Sequence, residues 1–378
     1  MKIAHISDCY LPRVGGIERQ IHQLATRQWE RGDHVEVITS VGTAGGDGDG
    51  VRVRRPPSPT RRQDDICYRS SLSGCDAAIH GGFDLLHIHA STWSPLSYLT
   101  LAGATRAGIP TVVTVHSLWS YAEPLFRWAD RLAGWTRWPA VWSAVSLAAA
   151  RPLQRALGPN THVAIVPNGI DADAWRIGVA PRHPNRVVIA TVGRLAERKR
   201  PRQLLKILRE AREMVPATVR LELIMVGDGP LREVLQRTIR RHDMTDWVRL
   251  FGPANHERIR ALYEDVDIYI APAKLESFGI AALEARCAGL PVIAHANSGI
   301  ASFIRDGYEG RLTHDDREMV GALVDLAISP SVRTRIRHHN VHSDPPVNWS
   351  TVLTQCDLLY DEAHRINFEG SATGSSPR

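Results

Sequence analysis

Lysine is nearly missing from this chain: four lysines stand against 42 arginines in 378 residues. A lysine inside a motif therefore carries more information than an arginine would. Cysteine is scarce too, and Cys9, Cys67, Cys75, Cys287 and Cys356 form neither a CxxC pair nor a His/Cys cluster. Their odd number argues against a disulfide framework and makes a reducing cytoplasm the default. No apolar run is long: the longest uncharged one, Ala140–Ala150, cannot span about 30 Å of hydrocarbon. The opening MKIAHISDCYLP is too short and polar for a signal peptide. The expectation is a cytoplasmic protein, soluble or peripheral at the inner face of the cytoplasmic membrane. No GxGxxG occurs, which weighs against a nicotinamide or flavin site. No block of like charge occurs either. The net charge is +6 and the pI about 9.2, but the basic residues are dispersed among acids, so nucleic acid is not the expected partner.

What is present is an alternation of short β-rich runs and longer amphipathic segments. KIAHIS at 2, HVEVIT at 34, LLHIHA at 85, TVVTVH at 111 and VAIVPN at 163 form one series. RVVIATVG at 186, LELIMVG at 221, WVRLFG at 247, DIYIAP at 267 and PVIAHA at 291 form a second. With 43% hydrophobic content, the chain predicts two α/β domains, each a parallel sheet wrapped by helices. The pattern divides into an N-terminal domain over 1–177, a Pro/Gly-rich linker at 178–185 and a second domain over 186–345. Residues 346–366 follow as a C-terminal helix and 367–378 as a disordered tail.

Three stretches carry the chemistry. Gly15 and Gly16 follow the first strand and open a helix, whose free N–H groups suit an anionic or diphosphate group in an inter-domain crevice; a plain tight turn is the alternative. In TVGRLAERKRPRQLL, Arg194 and Lys199 precede Pro201, a good first helical residue, and both cations can converge on one phosphate pair; a solvated basic loop is the alternative. In KLESFGIAALEARCAGLPVIA, Glu276 lies on the loop after a strand. A helix beginning near Phe278 sets the amides of Phe278, Gly279 and Ile280 at its positive end, with Glu284 about two turns in. One carboxylate suits sugar hydroxyls and the other a ribose. The DxD of Asp47 and Asp49 sits in a glycine-rich loop. Asp265 and Asp267 read as caps of the helix before DIYIAP, and neither pair is assigned a metal.

ESFGIAALE resembles the E-x7-E signature of retaining glycosyltransferases of the GT-B fold, family 4. VPNGID, VGRL with Lys199, VGDGP and AGLPVIA match its other blocks in order, over roughly residues 2–365. The resemblance implies two Rossmann-like domains whose parallel sheets face a central cleft, with the C-terminal helix docking back toward the first domain. It implies Arg194 and Lys199 at the donor diphosphate, beside the amides of Phe278, Gly279 and Ile280, with Gly15 and Gly16 approaching from the first domain. It also implies Glu284 at the ribose, Glu276 at the transferred sugar, and His116, at the end of TVVTVH, as the histidine near the reacting carbon. It implies a nucleotide-sugar donor, no cofactor and no metal, with front-face attack in place of a protein nucleophile. Two positions depart from the family pattern: SGIAS at 298–302 stands where GGIPE is common, and Ala273 where serine is common.

The opening ISDCYLPRVGGIERQI and the later HSLW also resemble enzymes that act on phosphatidylinositol or inositol phosphates, which favours a UDP-sugar over GDP-mannose and a lipid-linked, inositol-type or glycan acceptor. In LFRWADRLAGWTRWPAVW, residues 125–142, Leu125, Trp128, Ala129, Leu132 and Trp135 share a helical face, with Arg127, Arg131 and Arg137 off it. Contact with an anionic membrane and core packing both fit that pattern. A GT-B phosphorylase or epimerase, a non-catalytic nucleotide-sugar binder and an oxidoreductase are the competing readings.

Overall fold

A computed structural model describes residues 1–13, 15–41, 50–55, 68–120, 123–178 and 185–373. The DxD at Asp47 and Asp49 lies outside the described residues. The chain forms two compact units, one of Met1–Gly169 with the chain from Trp349 onward, the other Ile170–Asn348.

The first unit holds a seven-stranded sheet of β1 (Lys2–Ser7), β2 (His34–Thr39), β3 (Arg52–Arg54), β4 (Leu85–Ala90), β5 (Thr111–Val115), β6 (Val141–Ala144) and β7 (Val163–Ile165), in the order β3-β2-β1-β4-β5-β6-β7. The second holds six strands, β8 (Arg186–Val192), β9 (Arg220–Val226), β10 (Val248–Gly252), β11 (Ile268–Ala271), β12 (Val292–His295) and β13 (Gly310–Thr313), in the order β10-β9-β8-β11-β12-β13. Every strand pair is parallel. Helices cover the sheets because strands such as LLHIHA and TVVTV, buried at every position, need packing on both faces. In each sheet the order reverses once, between β1 and β4 and between β8 and β11. Those are the places where an open parallel sheet leaves a crevice at its carboxyl ends.

The unit boundary differs from the linker expected at 178–185. Residues 170–178 belong with the second unit: Trp175, in the short helix Ala172–Trp175, is buried with its ring 5.1 Å from His256, and Arg176 meets Asp344. Among the described residues Cys9, Cys75, Cys287 and Cys356 are free thiols. The C-terminal helix runs Trp349–Thr373, later in both start and end than 346–366, so residues 367–373 are helical rather than part of a tail. It packs Trp349, Val352, Cys356, Leu359, Tyr360 and Ala363 against Ile3, Leu85, Val112 and Val141 of the first sheet. The tryptophan-rich segment is not one helix. The helix Glu123–Ala133 ends, a turn of 3-10 helix covers Trp135–Arg137, and Trp142 enters β6. Trp135 and Trp142 are core residues, whereas Leu125, Trp128 and Leu132 are 61%, 58% and 74% exposed. Among the described residues no helix is long and apolar enough to cross a membrane.

Candidate active site

In the second unit the loop after β8 and the loop after β11 meet at the switch point. A small cavity there, of about 40 Å³, is lined by Gly193, Arg194, Lys199, Tyr269, Ala273 and Glu276 among others. Lys199 Nζ pairs with Glu276 Oε2, although the two residues are 77 positions apart. Arg194 is exposed and has no ion-pair partner among the described residues. Arg200, by contrast, does not belong to the site. It takes a left-handed conformation ahead of the helix Pro201–Met214 and forks onto Asp316 at 2.8 and 2.7 Å, which pins the loop that presents Lys199.

The helix carrying Glu284 starts at Ile280, later than expected, because Gly279 is left-handed at its N-cap (φ 91°); a Cβ there would collide with the Ile300 side chain. The N–H groups of Phe278, Gly279 and Ile280 have no partner among the described residues. Phe278 is buried beside Phe303 and anchors the loop. The Gly299 N–H donates to the Glu276 carbonyl at 2.8 Å, so the departing SGIAS turn braces the Glu276 loop through its backbone, while Ser302 is turned onto the Gly299 carbonyl. Glu284 is about one turn into its helix, buried, 3.4 Å from His256 Nδ1, and does not line the cavity. Tyr269 feels both acids: burial, and then Glu276 and Glu284, push its phenol up. Asp267, expected to cap a helix, instead accepts the Val188 N–H of β8 at 2.9 Å.

In the first unit Gly15 caps the helix Gly16–Glu30, as the double glycine implies. Glu18 fills part of that helix start. Its carboxylate turns back to its own N–H, pairs with Arg13 at 3.2 Å and is raised in pKa by burial; a Cβ on Gly15 would collide with that carboxylate. His116 is buried, and its Nε2 meets His89 Nδ1 at 3.0 Å. Burial brings the His116 imidazole down to about 4, so it is neutral near pH 7. It lines a cavity of about 30 Å³ with Gln20, His87, His89, Asn168 and Trp349.

A histidine cluster that no sequence motif marks lies next to His116. His5, His87 and His89 are close enough to share a metal ion, yet each ring nitrogen is already hydrogen-bonded: His5 to His89 and Gln28, His87 to Tyr360 and Thr114, His89 to His5 and His116. A metal would have to break these bonds, so the donor set does not fit one. The sequence signal was present: His87 and His89 occupy alternate positions of an otherwise apolar strand, and His5 lies in register beside His87.

Comparison with known proteins agrees with the two-unit layout. Residues 14–174 match the family described as Glycosyltransferase Family 4, and residues 177–338 match Glycosyl transferases group 1. The chain is a family 4 glycosyltransferase of the GT-B fold. This glycosyltransferase is 28% identical to D-inositol 3-phosphate glycosyltransferase 2 of Catenulispora acidiphila, over 95% of this chain and 93% of that protein. It is 23% identical to the phosphatidylinositol N-acetylglucosaminyltransferase gpi3 subunit of Schizosaccharomyces pombe, over 94% of this chain and 79% of that one. A solved structure of Anabaena Alr3699/HepE in complex with UDP and glucose superposes with a TM-score of 0.72, at 19% identity and full coverage of both chains.

Proposed function

We infer that this glycosyltransferase moves a sugar, with retention, from a nucleoside-diphosphate donor to a hydroxyl of a lipid-linked, inositol-type or glycan acceptor. The observation that carries this reading is the meeting of Arg194, Lys199 and Glu276 at the β8/β11 switch point, beside the unpartnered amides that open the Ile280–Cys287 helix. Two cations and a helix N-terminus suit a diphosphate. A carboxylate in contact with that lysine suits the hydroxyls of the attached sugar. The reaction then needs positioning and electrostatic stabilisation of the leaving diphosphate, and the departing phosphate oxygen takes the acceptor proton. A UDP-sugar is the donor we favour, in line with the ligands named for the Anabaena structure. The decisive test is incubation with UDP-, GDP- and ADP-sugars while slow release of nucleoside diphosphate is followed. Release from none of them would overturn the reading.

Because Arg194, Lys199 and the helix start already meet the diphosphate charge, we propose catalysis without a metal. Turnover is expected to be unchanged by EDTA. Loss on chelation with recovery in Mn²⁺ or Mg²⁺ would refute metal independence.

We also assign the exposed face of the helix Glu123–Ala133 to an anionic membrane surface. Leu125, Trp128 and Leu132 point outward while Phe126 stacks on buried Trp119 at 3.9 Å, so the helix is fixed by one side and unpartnered on the other. Exposed Arg127 and Arg131 flank that apolar face. The wild type should co-sediment with anionic liposomes and release with salt. The combined variant Leu125→Ser, Trp128→Ser, Leu132→Ser should bind them roughly tenfold more weakly. Equal binding by the variant would show that the face has another use.

A further inference from the structure

The hydrogen bonds beneath His116 run in one direction, set by the Gln28 side-chain amide, whose nitrogen donates to the Tyr360 hydroxyl at 2.8 Å and whose oxygen faces His5 Nε2 at 2.6 Å. With Gln28 as its donor, Tyr360 gives its own proton to His87 Nδ1 at 2.8 Å. A neutral imidazole that accepts at Nδ1 donates from Nε2, so His87 donates to Thr114 Oγ1 at 2.8 Å, and Thr114 donates to Ser143 Oγ at 2.7 Å. His5 donates to Gln28 Oε1 and accepts at Nδ1 from His89 Nε2 at 2.9 Å; His89 in turn accepts at Nδ1 from His116 Nε2 at 3.0 Å. The chain ends on His116 Nδ1, which is buried and has no partner.

Every imidazole in the chain is neutral. Burial lowers His5 and His116 to about 4, and burial with the neighbouring histidines takes His87 and His89 well below their ordinary range. One proton per ring is the condition for a unidirectional chain. A second proton anywhere would set two donors face to face.

We propose that Gln28 and Tyr360 are positioning residues that fix His116 as its Nε2–H tautomer, leaving Nδ1 as a hydrogen-bond acceptor for a hydroxyl or amide N–H of the substrate. The consequence is a chemical selection. A group that only accepts, such as a carbonyl or phosphate oxygen, finds no donor at Nδ1, whereas a sugar or inositol hydroxyl finds an acceptor there. The C-terminal helix, which supplies Tyr360, is thus a determinant of the site's chemistry as well as a packing element.

The role toward substrate rests on the transferase reading, but the tautomer does not, and the experiment separates them. Long-range ¹H–¹⁵N correlation spectra of the ligand-free protein, with His116 assigned by its loss in His116→Gln, should show a protonated Nε2 and a pyridine-type Nδ1. A protonated Nδ1 overturns the proposal. Tyr360→Phe keeps the ring and removes the link; it should give mixed His116 tautomers and a kcat lower by roughly tenfold with donor KM little changed. A wild-type tautomer together with wild-type kcat in that variant overturns the role of Tyr360. Gln28→Glu, charged or protonated, still presents an accepting oxygen to His5 and should retain the Nε2–H form. Its conversion to Nδ1–H likewise overturns the proposal. If the tautomer is as stated while no donor is consumed, the transferase reading fails and the tautomer assignment stands.

Discussion

Replacing Lys199 by methionine should lower kcat by roughly 10²–10³-fold, the range seen when one preorganised group facing a developing negative charge is removed. Lys199 lines the switch-point cavity and its ammonium rests on Glu276 in the ligand-free protein, so the charge is held in place before a diphosphate arrives. The same variant should weaken free nucleoside diphosphate by about 1.5–3 kcal/mol, because the product carries the full charge that the transition state is acquiring. Lys199→Arg should not restore turnover. Guanidinium is planar and wider than ammonium, and in a chain with 42 arginines a lysine here marks a requirement for a compact charge. The pair is partly buried, and its loss is expected to lower stability only modestly, so a melting curve slightly below that of the wild type is expected. Single-turnover transfer and calorimetry with the diphosphate check both parts. Near-wild-type turnover in Lys199→Met would remove the lysine from the mechanism.

Lys199 and His116 differ in how much of their surroundings was legible in the sequence. Lys199 and Glu276 stand on the connections that leave β8 and β11 for the Pro201–Met214 and Ile280–Cys287 helices, so their motifs could be placed from sequence and their proximity follows from the pairing of β8 with β11. Ten strands were visible as apolar or alternating runs. Three were not: β3 is three residues of Arg-Val-Arg at a sheet edge, β13 is Gly-Arg-Leu-Thr, and β6 is hidden in a tryptophan-rich stretch that reads equally well as a helix. Such short strands owe their state to the neighbour they pair with, not to a local period. The same reason hid the histidine chain. Its links come from β1, β4, β5, β6, the Gly16–Glu30 helix and the C-terminal helix, with Gln28 and Tyr360 332 positions apart. No local window contains them. The surroundings of Glu284 were hidden for a related reason: helical spacing gives its face relative to its own helix, but that face packs beside His256, which meets Trp175 from a segment assigned to the other domain.

The two glutamates of the E-x7-E motif should separate in a binding experiment. Glu276 contacts the lysine inside the cavity, whereas Glu284 is buried next to His256, near enough for Tyr269 to feel its charge. If Glu284 holds the ribose, Glu284→Ala should weaken free nucleoside diphosphate and the intact donor alike, each by about 1–3 kcal/mol for a charged hydrogen bond left unmade. Thermal melting of Glu284→Ala and of Glu284→Gln distinguishes this from a damaged fold, because the glutamine variant keeps the shape of the buried side chain. Glu276→Ala should do the opposite. Removing the carboxylate frees the Lys199 ammonium, so free diphosphate should bind as well as before or more tightly. If Glu276 holds hydroxyls of the sugar that moves and gains positive character in the transition state, as proposed, turnover should nevertheless drop. An interaction that strengthens only there lowers kcat when it is removed, without weakening the leaving group's own affinity. Calorimetry with the diphosphate, paired with transfer rates, resolves the two roles. Parallel losses of diphosphate affinity in Glu276→Ala and Glu284→Ala would mean that the lysine contact is structural and that both acids serve the nucleotide.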